Sequence, residues 1–336
     1  MKKVALTLAA TVLAIASTGC GTDSKSPLIT YVARSNSDSW TPHVFKLTGT
    51  TGTPTAVSIP VPTAAFYVTA NGDATQVIYN RDDSAGVDVY AMGKDGTEKQ
   101  LTTDGQSWVP AFSPDGKTIT WTDEAATGDD QIYVMNADGT NQHALYAPDV
   151  NIANAYFSQF SPDGKSVVFY VQVLSGPLVQ TPQAGPTGLR HFVPSTRHRN
   201  QRAVSRSLKP QVADPASNGW YTMKLTDSAP TLVYATTNNY GPAVFTADGK
   251  NILFTDCSST CNIVRSDLSG TATQLTTDPS TASYAAVPFK NLILFNRQNA
   301  TNSSWDIYVM DGNGGNQTLV NSTANTYEFL LDSYAD

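Results

Sequence analysis

Short apolar runs bounded by polar turns recur along the chain. They include Leu28-Ile29-Thr30-Tyr31, Val77-Ile78-Tyr79, Ile119-Thr120-Trp121-Thr122, Val167-Val168-Phe169-Tyr170, Ile252-Leu253-Phe254-Thr255 and Leu292-Ile293-Leu294-Phe295. Runs this short, rich in β-branched and aromatic residues, predict strands. Three of them follow one turn: Phe112-Ser113-Pro114-Asp115-Gly116-Lys117, Phe160-Ser161-Pro162-Asp163-Gly164-Lys165 and Phe245-Thr246-Ala247-Asp248-Gly249-Lys250. A fainter copy is Val68-Thr69-Ala70-Asn71-Gly72. Pro presets φ, Asp bonds back to the backbone, and Gly takes the positive φ that reverses the chain.

A second strand follows each of these at a regular distance, starting at Val44, Val89, Ile132, Trp220, Ile263 and Ile307. The intervals are 45, 43, 88, 43 and 44 residues. A period of roughly 40–45 residues is the mark of propeller blades, each a small sheet that buries its faces only against its neighbours. The pattern predicts an all-β, six-bladed β-propeller; the doubled interval leaves a seventh, degenerate blade as the alternative. The first blade lacks an innermost strand, and the tail Tyr327-Glu328-Phe329-Leu330-Leu331-Asp332 is expected to supply it by pairing with Leu28–Ala33, closing the ring.

The Ser-Pro-Asp-Gly-Lys turn, the β run after it, and Ile132-Tyr133-Val134-Met135-Asn136-Ala137-Asp138-Gly139 together resemble the TolB-type (PD40, WD40-like) propeller repeat. The resemblance spans roughly residues 26–336. In TolB the propeller follows an α/β domain and works in the cell envelope with a peptidoglycan-associated lipoprotein. Between Cys20 and Leu28 there is no room for such a domain, so the resemblance implies a TolB-like envelope protein rather than TolB itself.

Lys2, Lys3 and the apolar run from Val4 to Ala16 form an export signal too short to span a bilayer. Its end, Ala16-Ser17-Thr18-Gly19-Cys20, resembles a bacterial lipoprotein signal with Ser17 where the pattern usually has Leu. The resemblance implies acylation of Cys20 and a periplasm-facing or cell-surface anchor, the outer membrane being favoured because Gly21 rather than Asp follows. The alternative is an ordinary cleaved signal with Cys20 incidental. The expected organisation is a signal at 1–19, a tether at 20–27 and the propeller at 28–336. Cys257 and Cys261, with three residues between them and lying between two strands, are expected to form a disulfide in an oxidising compartment.

Composition narrows the function. The 336 residues carry a net charge of −7, and only 15% are charged. Asp outnumbers Glu 25 to 3, which suits turns and caps rather than helices. No general positive field offsets phosphate repulsion, so nucleic acid is not expected as a partner. One segment departs from this. Gln172–Asn218 lacks the repeat and holds Arg190, Arg197, Arg199, Arg202, Arg206 and Lys209 against Asp214 alone. It falls between the second and third strands of the fourth blade. It reads as a solvated insertion, with a basic arm for an anionic partner and an eroded blade as the alternatives.

The chain has no Gly-x-Ser-x-Gly elbow, no His-Glu-x-x-His and no phosphate-binding loop. His43 and His143 stand apart from each other and from the insertion's His191 and His198. Neither a catalytic residue nor a metal or other cofactor is therefore expected, and a monomeric protein-binding scaffold is the leading reading. A periplasmic glycan-binding protein or a lyase or hydrolase using the channel is the alternative. The binding face is expected where loops lead into the innermost strands. Trp108, Tyr156, Tyr240 and Tyr284 stand there, with Arg34, Arg81, Asp82, Asp123, Glu124, Asp256 and Arg297 at the ends of the second strands on the same side. Aromatics ringed by mixed charge suit a protein or peptide partner, whereas the same aromatics plugging the channel as core is the competing reading.

Overall fold

The computed structural model describes residues 28–35, 42–48, 55–72, 74–125, 128–148, 153–174, 215, 217–258, 260–278, 281–289, 291–299, 304–322 and 326–334. The signal and tether at 1–27, Cys20 among them, lie outside these residues, as does most of the basic segment.

All described regular structure is β. The first strands are β1 (Leu28–Ser35), β2 (His43–Thr48) and β3 (Thr55–Ala56). Four four-stranded sheets follow. The first comprises β4 (Ala65–Ala70), β5 (Gln76–Asp83), β6 (Gly86–Gly93) and β7 (Glu98–Gln100). The second comprises β8 (Ser107–Phe112), β9 (Thr118–Glu124), β10 (Asp130–Asn136) and β11 (His143–Tyr146). The third comprises β12 (Ala153–Phe160), β13 (Ser166–Val173), β14 (Gly219–Lys224) and β15 (Thr231–Ala235). The fourth comprises β16 (Asn239–Phe245), β17 (Asn251–Asp256), β18 (Asn262–Asp267) and β19 (Ala272–Gln274). The chain ends in β20 (Ser283–Phe289), β21 (Leu292–Gln298), β22 (Trp305–Asp311), β23 (Thr318–Asn321) and β24 (Thr326–Tyr334).

The count of six blades, or seven, is corrected here: the propeller has five sheets. The first and last strands of the chain are hydrogen-bonded into one eight-stranded sheet, in which β22 and β24 are joined by a parallel pair, Trp305↔Tyr327. A sequence repeat counts units of chain, whereas backbone pairing counts sheets, and this one pair merges two units into one. β24 also pairs antiparallel with β1 from Leu28↔Tyr334 to Ser35↔Thr326, so the two ends of the chain meet in the ring. The inner strands β4, β8, β12, β16, β20 and β24 contact one another in circular order, with β24 touching both β20 and β4.

The repeated turns are near copies. The Asp115 carboxylate accepts from Ser113 Oγ at 2.7 Å and from Lys117 N at 3.1 Å, and Gly116 N donates to Ser113 O at 2.8 Å. Asp163 and Asp248 make the same bonds with Ser161 and Lys165, and with Thr246 and Lys250. Gly116, Gly164 and Gly249 sit at φ 68°, 67° and 68°, where a side chain is strained. A Cβ on Gly164 would lie 3.7 Å from Pro114, so each turn rests against the one before it.

The core lies between sheets. Ile78 and Val89 pack against Ile119, Trp121, Tyr133 and Met135 of the next sheet, and Ile132 and Val134 against Val167, Phe169 and Tyr221 of the one after. The basic segment interrupts a hairpin: β13 and β14 pair directly, up to Val171↔Gly219, and Val173 N donates to Asn218 Oδ1 at 2.6 Å at its base.

Candidate binding mouth

The inner strands share a kink. In β4, β8, β12 and β16 the register slips just after Phe66, Trp108, Tyr156 and Tyr240. The following residue, Tyr67, Val109, Phe157 or Gly241, has φ of 47°, 47°, 65° or 67°. For Val109 this is costly, and a bulky residue held there needs an outside hold. The neighbouring sheet provides one. Val109 N donates to Asn80 Oδ1 at 2.8 Å, Asn80 Nδ2 donates to Ser107 O at 2.8 Å, and Phe157 N donates to Thr122 Oγ1 at 3.2 Å. A bulge at this depth re-aims side chains at the end of the sheet. Phe66, Tyr67, Trp108, Tyr156 and Phe157, all half-buried, gather there. Phe66 and Trp108 lie 6.4 Å apart, and Tyr156 meets Phe157 edge-on at 5.1 Å. Burial and the nearby Tyr170 and Asp130 push the Tyr156 phenol far above its ordinary range.

The charged residues expected beside these aromatics reach the same end of the sheets, because Ala65↔Arg81, Ser107↔Asp123, Asn239↔Asp256 and Ser283↔Arg297 are register pairs. Their side chains do not form one ring. Arg81 bonds Glu98 of β7 at 2.7 Å and covers the Tyr90 ring at 3.8 Å. Arg297 lies 5.0 Å from both the Phe295 and Tyr308 rings. Both guanidiniums therefore turn outward along their own sheets. Asp123 is buried and accepts from Trp121 Nε1 at 2.8 Å and Ser107 Oγ at 3.0 Å. Tyr284 is buried too, with its ring 4.5 Å from that of Trp305. Asp82 is exposed and Glu124 half-buried. The side chains of Arg34 and Tyr240 lie outside what is described.

Two features escaped the sequence reading. The first is a buried carboxyl, Asp130, which is 2% exposed and faces Glu124 across the β9–β10 pair. Burial, and then the carboxylates of Glu124, Asp129 and Asp123, push its pKa well up. The second is a polar bond set under the outer strands. Thr102 Oγ1 accepts Val89 N at 2.9 Å and donates to Asp88 at 2.9 Å, while Thr276 Oγ1 accepts Ile263 N at 2.9 Å and pairs with Asn262 at 3.1 Å. Its signal was present: Gln-Leu-Thr-Thr-Asp occurs at both 100–104 and 274–278.

No protein-family model matches the chain, and neither does any curated protein sequence. Solved structures do. The chain has the fold of the TolB propellers. TolB from Acinetobacter baumannii matches with a TM-score of 0.60 at 16% identity, covering 91% of this chain and 67% of that one. A putative TolB from Agrobacterium tumefaciens matches at 0.57 and 13%, covering 93% and 100%. The nidogen/laminin complex matches at 0.56 and 11%, covering 91% and 98%. Structures of a peptidase and a lyase share the fold as well, so the β-propeller is shared by proteins of several functions.

Proposed function

We propose that this TolB-like β-propeller is an exported, lipid-anchored, non-catalytic module that captures a protein or peptide partner at the inner ends of its sheets. The observation that carries the reading is the collar of half-buried aromatics, Phe66, Tyr67, Trp108, Tyr156 and Phe157, set on three successive sheets by kinks, two of which the neighbouring sheet holds. Rigid aromatic rings bury large area at low entropic cost and dominate protein interfaces. The nidogen match, a propeller in complex with laminin, supports the same use of the fold.

The test compares two variants in partner capture with the mature chain as bait. Trp108→Ala is expected to abolish capture and leave the melting temperature almost unchanged. Tyr284→Ala, packed on Trp305, is expected to cost about 3 kcal/mol or more of stability, with any binding loss following from unfolding. Capture that survives Trp108→Ala at wild-type strength defeats the reading. An enzyme working in the channel is the second reading, since a peptidase and a lyase share the fold.

Two further expectations belong to export. Cys20→Ala should move the protein from the membrane to the soluble fraction, because stable anchoring takes more than one acyl chain and all would be lost. Equal partitioning of variant and wild type excludes the tether. The Cys257 and Cys261 sulfurs stand at disulfide distance, with Cα atoms 4.0 Å apart. A bridge closing so short a loop should add about 2 kcal/mol. Alkylation followed by intact-mass measurement is expected to find neither thiol free in the mature protein, and labelling of both refutes the bridge.

A further inference from the structure

A polar cleft of about 600 Å³ opens at the same end as the collar but outward of it, between the β12–β15 and β16–β19 sheets. It continues into a bay of about 220 Å³ under β18 and β19. Tyr234, Asp256 and Ser258 belong to both. Ser217, Asn218, Ala235, Thr236, Thr237 and Asn238 complete the main wall. Its volume lies in the range of small-ligand sites, roughly 300–1,000 Å³.

The chemistry of this lining is narrow. Hydroxyls and amides dominate, with one carboxylate, one aromatic ring and, among the described lining residues, no Lys, Arg or His. The main cleft has no aliphatic side chain larger than that of Ala235, so it does not suit an apolar peptide anchor. A single carboxylate is too little for a divalent cation, and among the described lining residues an anion would face Asp256 with no cation beside it. A ligand with many hydroxyls and no charge remains.

The wall is also held in place before any ligand arrives. Asp256 Oδ1 accepts Ser258 N at 2.9 Å, and Oδ2 accepts Thr236 Oγ1 at 3.2 Å. Thr236 Oγ1 accepts Asn238 N at 3.1 Å, and Thr236 O accepts Tyr170 Oη at 2.7 Å. Asp256 thus keeps its orientation while retaining acceptor capacity for neighbouring hydroxyls. The Tyr234 ring is steadied by Phe254, centroid to centroid 5.0 Å. A fixed carboxylate, fixed hydroxyls and a steadied aromatic ring are the parts that recognise a sugar. Preorganisation spares the ordering cost that such polar sites otherwise carry.

We propose that this cleft binds a neutral saccharide and discriminates against uronic acids. The site is independent of the partner-binding collar.

The experiment is calorimetric titration of the full mature chain with cellotetraose, maltotetraose and triacetylchitotriose, and with trigalacturonic acid as the anionic probe. At least one neutral probe is expected to bind saturably, with trigalacturonic acid weaker by about tenfold or more. Thr237→Trp, which fills the cleft from an exposed position, and Asp256→Asn are each expected to weaken the neutral probe by about tenfold or more. Melting curves show whether each variant folds. If Asp256→Asn does not, Thr237→Trp alone decides. Trp108→Ala should leave saccharide binding unchanged, which separates this site from the collar. The proposal is overturned if none of the neutral probes binds in the millimolar range, if the anionic probe binds equally well, or if folded Thr237→Trp binds like wild type.

Discussion

A chain ending at Asn325 is expected to lose cooperative unfolding altogether. β24 supplies the whole of β1's second edge, eight register pairs from Leu28 to Ser35, and also meets β20, β22 and β4. Each backbone bond is worth about 1 kcal/mol net, against about 5–15 kcal/mol for an entire domain. Removing the strand therefore takes a large part of the total, opens the ring and leaves β1 with an unpaired edge that invites association. Thermal melting and size-exclusion chromatography of the truncated chain should show a broad, shallow transition and aggregates. A sharp transition within a few degrees of the full chain would mean that the ring does not depend on this closure.

The second large effect concerns Asp130. Its carboxyl is buried among three others, so the folded state holds its proton more tightly than the unfolded chain does. A group whose folded pKa is raised contributes stability that is complete below the unfolded pKa and is lost as pH rises through the folded pKa. At pH 7 the wild-type protein bears either a buried charge or the cost of holding a proton there. Asp130→Asn, neutral at every pH, is expected to raise the melting temperature at pH 7, with the gain shrinking towards pH 4. Melting temperatures of both proteins across that range provide the check. A variant less stable at pH 7, or a gain that does not vary with pH, would show that the carboxylate is stabilising as it stands.

Local chemistry explains what the sequence made legible. The Ser-Pro-Asp-Gly-Lys turns could be read because Pro, Asp and Gly act within four residues of one another. The closing tail could be read because a first unit without an inner strand and a last unit with a spare one are complementary. The number of sheets could not, since it depends on one tertiary pairing, Trp305↔Tyr327. The end of the sheets at which these residues stand was legible but the direction of their side chains was not, although strand alternation carried the answer. Arg81 is two residues from Tyr79, and Arg297 two from Phe295, so each guanidinium shares a face with rings of its own sheet. Asp123 is two residues from Trp121 and is buried with it. The kinks at Val109 and Phe157 run against local preference, and Asn80 and Thr122 reach across from another sheet to hold them. Reasoning from one strand at a time cannot reach a conformation that two sheets impose together.

Closing the ring with the last strand also sets a timetable for biosynthesis. β1 is made before every other described strand, and the partner of its second edge lies about 290 residues further on. At roughly 5–20 residues per second, that edge waits roughly 15–60 s for β24. The intermediate sheets can stack as they emerge, but no ring exists until β24 has been made. Under the export proposed above, this delay would be an advantage: the chain would stay threadable until β24 has emerged.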